Sequence, residues 1–269
     1  MSDVIIGNVL KIEVALYHAY FRLEANTDGE ALHDLRIQLR RLRSLLRPLR
    51  GIESVKQLDS AAAQIGSLTT AVRDLEVLIG ELENKGYGEL AASRRETLAR
   101  AYGRVLRSRA LAKLLAELDK WPGSFRQEWI AGDARKLSKK VTKWMERQVN
   151  RLAEVLSDPG IDPHKLRILV KHTRYMIDAY PQRSTVNPEV ICSLKSVQSA
   201  LGAWHDLYQW CHRADSESDL QPLQHEWQLE AATALSDAKT EIIHLKQLIN
   251  VRNSILPPLP RRVGEFPTL

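Results

Sequence analysis

Cysteine is nearly absent from this sequence, with Cys192 and Cys211 the only two among 269 residues. Two thiols are too few for a disulfide scaffold, which points to a reducing, intracellular setting, with pairing of the two left open. Aromatic residues make up 6% and glycines number 13, so neither a glycine-rich phosphate loop nor a set of stacking side chains is on offer. No run of apolar residues approaches the roughly 20 needed to span a bilayer. The first residues, Met1-Ser2-Asp3-Val4-Ile5-Ile6, lack the basic region and cleavage signal of a secretory peptide. A cytoplasmic protein without a membrane partner is therefore expected. No HxxxH or CxxC pair occurs among the eight histidines and two cysteines, so a metal site is not expected. Phosphate chemistry would want acidic Mg²⁺ ligands beside its basic residues. None accompanies them, so the expectation is a protein that is not an enzyme and needs no cofactor.

What is present is helix-forming residues, 44% hydrophobic and 27% charged, with a net charge of +6 and a pI near 9.3. A basic balance points toward a polyanionic partner, and its distribution is sharper than its total. Ile37 to Arg50 holds five basic residues and no acid, and Arg135 to Lys143 holds five more with none. In the first of these regions, His33, Arg36, Arg40, Arg43 and Arg47 fall on one stripe of a helix at 100° per residue. Leu32, Leu35, Leu39, Leu42, Leu45 and Leu46 fall on the neighbouring arc. Like charges at i,i+4 cost about 0.2–0.5 kcal/mol per pair, a repulsion that an ordinary solvated helix relieves with interspersed glutamates. This one does not.

Taken in order, the pattern predicts an all-α chain. A first amphipathic helix covers residues 4–25, and Thr27 with Glu30 reads as a capping box opening the basic helix, which Pro48 ends. A third helix runs from Ser54 to Asn84 and stops at Lys85-Gly86-Tyr87-Gly88. A fourth runs from Glu89 to Lys120, carries Arg100, Arg104 and Arg107, and is closed by Trp121-Pro122-Gly123. The plan then restarts. Asp133 is positioned to cap a helix over 134–157 whose Lys136, Lys140, Lys143, Arg147 and Arg151 form another basic stripe. Asp162-Pro163 opens the next helix, Asn187-Pro188 the seventh, and residues 221–250 form the eighth.

The second half echoes the first. At an offset of 131 residues His164 matches His33, Arg167 matches Arg36, Lys171 matches Arg40 and Arg174 matches Arg43, and Pro181 falls near where Pro48 falls. Ala71-Val72-Arg73-Asp74-Leu75 is echoed by Ala203-Trp204-His205-Asp206-Leu207. Such a repeat predicts two similar four-helix bundles, residues 1–122 and 133–250, packed about a pseudo-two-fold axis with the basic helices face to face. A Pro-rich tail, residues 251–269, follows. Asp74 and Asp206 are read as partners that orient neighbouring arginines, and the six tryptophans as packing residues.

The paired HxxRxxxRxxR and HxxRxxxKxxRY patterns, with Arg73-Asp74-Leu75 following 40 residues after the first histidine, resemble the CHAD domain, the conserved histidine α-helical domain, over residues 4–250. The resemblance implies two four-helix bundles with a basic groove or pore between them. It also implies binding of inorganic polyphosphate, frequently at polyphosphate granules. Carried over position by position, the family's basic set falls on His33, Arg36, Arg40 and Arg43 and on His164, Arg167, Lys171 and Arg174. Leu68-Thr69-Thr70 stands where a leucine-glycine pair is common, and His172 and Thr173 depart from the usual pattern in the second half. Arg47, Arg100, Arg104, Lys136, Lys140 and Lys143 extend the candidate set. Polyphosphate carries about one charge per unit and no bases, so a binder needs a line of cations; arginine's planar fork donates two hydrogen bonds and stays charged. An RNA- or DNA-binding module using the same groove is the alternative, for which only Tyr175 offers a stacking ring. An accessory that delivers polyphosphate to a phosphatase or kinase is the third reading.

Overall fold

The computed structural model describes residues 2–130 and 134–255, and within them the chain forms ten α-helices, three short 3-10 turns and no strand. The helices are α1 (Ser2–Ala25), α2 (Ala31–Leu46), α3 (Glu53–Leu68), α4 (Thr70–Asn84), α5 (Gly88–Leu106), α6 (Arg109–Ile130), α7 (Ala134–Ser157), α8 (Pro163–Ala179), α9 (Pro188–Ala214) and α10 (Gln221–Ile255). The starts of α8 and α9 are those expected. The Asp162 carboxylate accepts from the His164 N–H at 2.9 Å and Asn187 from the Glu189 N–H at 3.0 Å, each with proline at the first helical position.

Four expectations are corrected. Thr27 and Glu30 form no capping box: Glu30 itself precedes the first helical residue without a side-chain cap, while its N–H donates to Asp28. The third expected helix is two, α3 and α4, parted at Thr69. Here Arg36 Nη1 donates to the Gly66 carbonyl at 3.0 Å and to Thr69 Oγ1 at 2.7 Å, so a tertiary contact takes the acceptor that a continuous helix would use. The fourth is also two, parted at Ser108, whose Oγ accepts from the Leu111 N–H at 3.2 Å and starts α6. Trp121-Pro122-Gly123 closes nothing. α6 runs through Pro122 because Trp121, Phe125 and Trp129 recur at i, i+4, i+8 and are all buried, with ring centroids 4.4 and 5.2 Å apart along the row. Burying three such rings at about 1.5–3 kcal/mol each outweighs the ~3 kcal/mol that an internal proline costs.

The expected cap Asp133 lies outside the described residues, as do residues 256–269 of the expected tail, while α10 continues to Ile255. By length and composition α1 is apolar enough to cross a bilayer, with mean hydropathy 1.3 in its richest window, although no such segment is expected from the sequence. Part of its apolarity serves packing, since Ile5, Ile6, Val9, Leu16, Ala19 and Leu23 are buried, while Val4, Leu10, Val14 and Phe21 are exposed.

The largest core draws on both halves of the chain, from Leu39, Leu42 and Leu46 of α2 and Trp121 of α6 to Leu152 of α7, Leu166 and Val170 of α8 and Leu201 of α9. A second core joins α4 and α5 to α9 and α10 through Leu78, Leu82, Ala91, Trp210, Leu223 and Trp227. α2 packs directly on α8, and the Tyr180 hydroxyl after α8 donates to the Leu45 carbonyl. This shared packing holds the two basic helices at fixed separation.

Candidate functional site

Leucines fix the orientation of both basic helices. On α2, Leu32, Leu35, Leu39, Leu42, Leu45 and Leu46 are fully buried, and on α8 Leu166, Val170 and Met176 are. The stripe one arc round from each buried face is thereby turned toward the space between the helices. Two adjoining cavities occupy that space. The smaller, about 250 Å³, is lined by Arg36, Arg40, Arg43, Arg47, Lys171, His172 and Tyr175 among others. The larger, about 970 Å³, is lined among others by Arg36, Arg94, Arg167, Lys171 and Arg213 and by the acids Asp74, Asp206, Glu217 and Asp219, with His205. Arg36, Thr70 and Lys171 belong to both.

Five cations of this lining lack an acid partner among the described residues. Arg40, Arg167 and Lys171 make neither an ion pair nor a side-chain hydrogen bond among the described residues, and Arg40 Nε is buried without a partner. Arg40 lies 5.6 Å from the centroid of the Tyr175 ring, which Arg174 approaches at 4.6 Å. Arg36 donates only to neutral oxygens, and Arg47 sits 3.0 Å from His172 Nε2. Arg43 alone among the lining residues of α2 has an acid, Asp59 at 3.3 Å, which Arg50 also holds at 2.6 Å.

The protonation equilibria respond accordingly. Burial first, then the charges of Arg40, Arg167 and Arg36, lower the Lys171 ammonium to about 8. Burial and the neighbouring arginines likewise push Arg36, Arg47 and Arg167 below their ordinary range. His172 and His205 are lowered to about 4, by burial and then chiefly by Arg47 and Arg167 respectively, so both rings are neutral at physiological pH. Burial raises Asp74 and Asp206 despite the opposing charges of Arg36 and Arg167. Neither carboxylate forms an ion pair among the described residues, so the expected orienting pairs with arginine are absent. The chemistry of this lining suits an anion: unpaired guanidinium and ammonium groups, held in low dielectric, gain most from a ligand that brings negative charge and acceptors.

The structure thus gathers Arg36, Arg40, Arg43, Arg47, Arg167 and Lys171 around one space. The other candidates lie elsewhere. His33 is half-buried, with its pKa lowered by burial and by Arg73. His164 is packed among rings, 4.6 Å from Trp204 and 4.9 Å from Tyr208, with its Nδ1 3.2 Å from that of His205. Arg174 turns to Gln198 at 2.6 Å and Asp178 at 3.3 Å. Arg100 and Arg104 are exposed on α5, and Lys136, Lys140 and Lys143 are exposed on α7. Trp121, Trp129, Trp204, Trp210 and Trp227 are buried and Trp144 half-buried against the core.

Two lining arginines were not singled out by the sequence. Arg94 is almost fully buried and reaches Glu217 at 2.8 Å and Asp219 at 2.9 Å, and Arg213 reaches Glu217 at 2.7 Å. These pairs tie α5 to the end of α9 and close one side of the larger cavity. An arginine pair so far apart in sequence carries no periodic signal.

An all-helical protein with cation-lined cavities beside two basic helices is the class that fold and site define. The CHAD domain family model matches residues 12–215, and the chain belongs to that family. The crystal structure of the CHAD domain from the plant Ricinus communis superposes with a TM-score of 0.69 at 19% identity, covering 93% of this chain and 91% of that one. PptA from Streptomyces chartreusis superposes with a TM-score of 0.54 at 16% identity, over 93% of this chain and 99% of that one. At those identities the likeness is one of fold. No curated protein matches the sequence.

Proposed function

We propose that this protein binds inorganic polyphosphate, without chemistry, in the cavities between α2 and α8. The observation that carries the reading is the set Arg40, Arg167 and Lys171: three cations lining two adjoining cavities, Lys171 both of them, with no ion pair among the described residues. Leaving buried cations unpaired costs several kcal/mol per charge in an empty site, about 3–5 kcal/mol where a partner is removed, and a polyanion recovers that cost. Membership of the CHAD family supports the same ligand. The lining favours bare phosphate over nucleic acid, because the Tyr175 ring is 6% exposed and approached by both Arg40 and Arg174, which makes it a poor platform for a base. The cell biology that goes with this reading is a cytoplasmic protein associated with polyphosphate granules, holding the polymer for enzymes that make or degrade it.

Competition tests it. Long-chain polyphosphate and single-stranded RNA are titrated against the protein at matched charge concentration, and polyphosphate is expected to displace bound RNA while RNA fails to displace polyphosphate. The opposite order of displacement refutes the proposal in favour of a nucleic-acid module.

A further inference from the structure

We propose that the outer face of α7 is a second anion-binding surface, which takes the part of a long polyphosphate chain lying outside the cavities and so makes the protein selective for long chains. The inference rests on the polyphosphate reading of the cavities and adds to it a polymer-length criterion. Lys140, Lys143, Arg147 and Arg151 are all exposed, and none makes an ion pair among the described residues. At 100° per residue they lie within an arc of about 80°, spread over about 16 Å of helix. The acid on that arc, Glu154, falls at its C-terminal end. Four cations at i, i+3 and i+4 spacing repel one another by a few tenths of a kcal/mol per pair, and no ion pair among the described residues relieves it.

Position distinguishes this stripe from an ordinary solvated face. α7 packs on α8 and on the 3-10 turn Arg47–Leu49 that ends the basic run of α2. Lys140 lies across Gly51 so closely that a Cβ there would stand 2.9 Å from its Nζ. At the other end the charge of Arg151 reaches His172, which lines the smaller cavity and contacts Arg47. The stripe therefore runs beside the Arg47–His172 side of the smaller cavity, within reach of a chain that extends beyond it. Trp144 on the same helix is packed against the core, so the face presents cations and no stacking ring, and a polymer of phosphate without bases suits it. Joining two weak contacts through one continuous ligand raises affinity by roughly 10²- to 10⁴-fold over either alone when the geometry permits both.

Calorimetric titration with tripolyphosphate and with chains of many tens of units tests this, comparing wild type with the exposed double variants Lys143→Glu/Arg147→Glu and Lys143→Gln/Arg147→Gln. The wild type is expected to prefer the long chain, per molecule, by about a hundredfold or more. Both variants are expected to keep tripolyphosphate affinity within about twofold, since screening limits effects beyond ~8–10 Å. They should lose at least tenfold of the long-chain preference, with the Glu pair losing more. Variants that keep the full preference overturn the second surface while leaving the cavity reading intact. A wild type that binds no tripolyphosphate sinks the cavity reading first. Should single-stranded RNA of matched charge show the same length preference, lost in the same variants, the assigned occupant is wrong.

Discussion

Lys171 offers the most direct quantitative test, because its charge is held in the cavity against both burial and three arginines. In the empty protein its ammonium titrates near 8 rather than near the ordinary 10.5. The unfolded chain therefore binds more protons than the folded one between those two values. Below about 8 the folded state carries the whole penalty, on the order of 3 kcal/mol for a shift of this size, and stability recovers as pH rises from about 8 toward 10.5. A polyanion reverses the situation, since phosphate oxygens restore the ordinary value. Affinity should then be flat below pH 7 and fall about tenfold from pH 7 to 9, because the empty site is mostly deprotonated at pH 9 and binding must take up a proton. Lys171→Arg should flatten the fall, as a guanidinium stays charged throughout. Lys171→Met should raise unfolding stability at pH 7 by about 1–3 kcal/mol, in line with replacing an unpaired buried charge by an apolar chain, while weakening polyphosphate binding. Titration calorimetry in buffers of different ionisation enthalpy counts the proton directly. If the wild type loses no affinity up to pH 9, or Lys171→Met destabilises the protein, the unpaired-cation argument is wrong.

Three further outcomes are expected. Five lining cations without an acid partner, Arg36, Arg40, Arg47, Arg167 and Lys171, give a slope of about −3.5 to −4.5 in log affinity against log salt if polyphosphate behaves as nucleic acids do, a loss of a few hundredfold from ~50 to ~200 mM; an affinity that barely changes would contradict a cavity filled by ion contacts. Charge reversal at Arg40 or at Lys171 should weaken binding by similar factors, and reversal of both by more, at unchanged stoichiometry; half the sites lost with the rest at native affinity would show two independent sites. His33→Gln with His164→Gln should change affinity at pH 6–7 by less than about twofold, since neither ring lines a cavity; its measurable effect should be lower thermal stability, from the packing of His164 against Trp204 and Tyr208.

The parts of this fold that were legible are those set by local patterns. The basic stripes of α2 and α8 could be read from period and proline positions, because a leucine arc determines which way the arginines face whatever the partner is. The motif histidines were legible as a repeat but not as packing groups, since ring contacts with Trp204 and Tyr208 depend on how α9 crosses α8. The break between α3 and α4 was only partly legible: Ser54 to Asn84 has an unbroken apolar period, and the carbonyls at the break are taken by the Thr69 and Thr70 hydroxyls, which donate to Ile65 and Gly66, and by Arg36, which arrives from another helix. Pro122 misled in the opposite direction, because a local penalty was overridden by aromatic burial that only tertiary packing reveals. Ser108 was an available signal, an N-cap hydroxyl three residues before Leu111, outweighed by the continuous helical composition around it.

That break also bears on how the site tolerates being empty. With α4 started afresh at Thr70, Asp74 is placed on the lining of the larger cavity together with Asp206 of α9. Had either carboxylate closed onto Arg36 or Arg167, it would have used the guanidinium donors a phosphate needs. Both instead act at a distance: their charges favour the protonated forms of Arg167 and, for Asp74, of Arg36, without an ion pair. These attractions oppose part of the repulsion among the cations. The donors remain free. The two aspartates thus ease the repulsion around Arg36 and Arg167 while leaving their hydrogen-bonding capacity for a ligand.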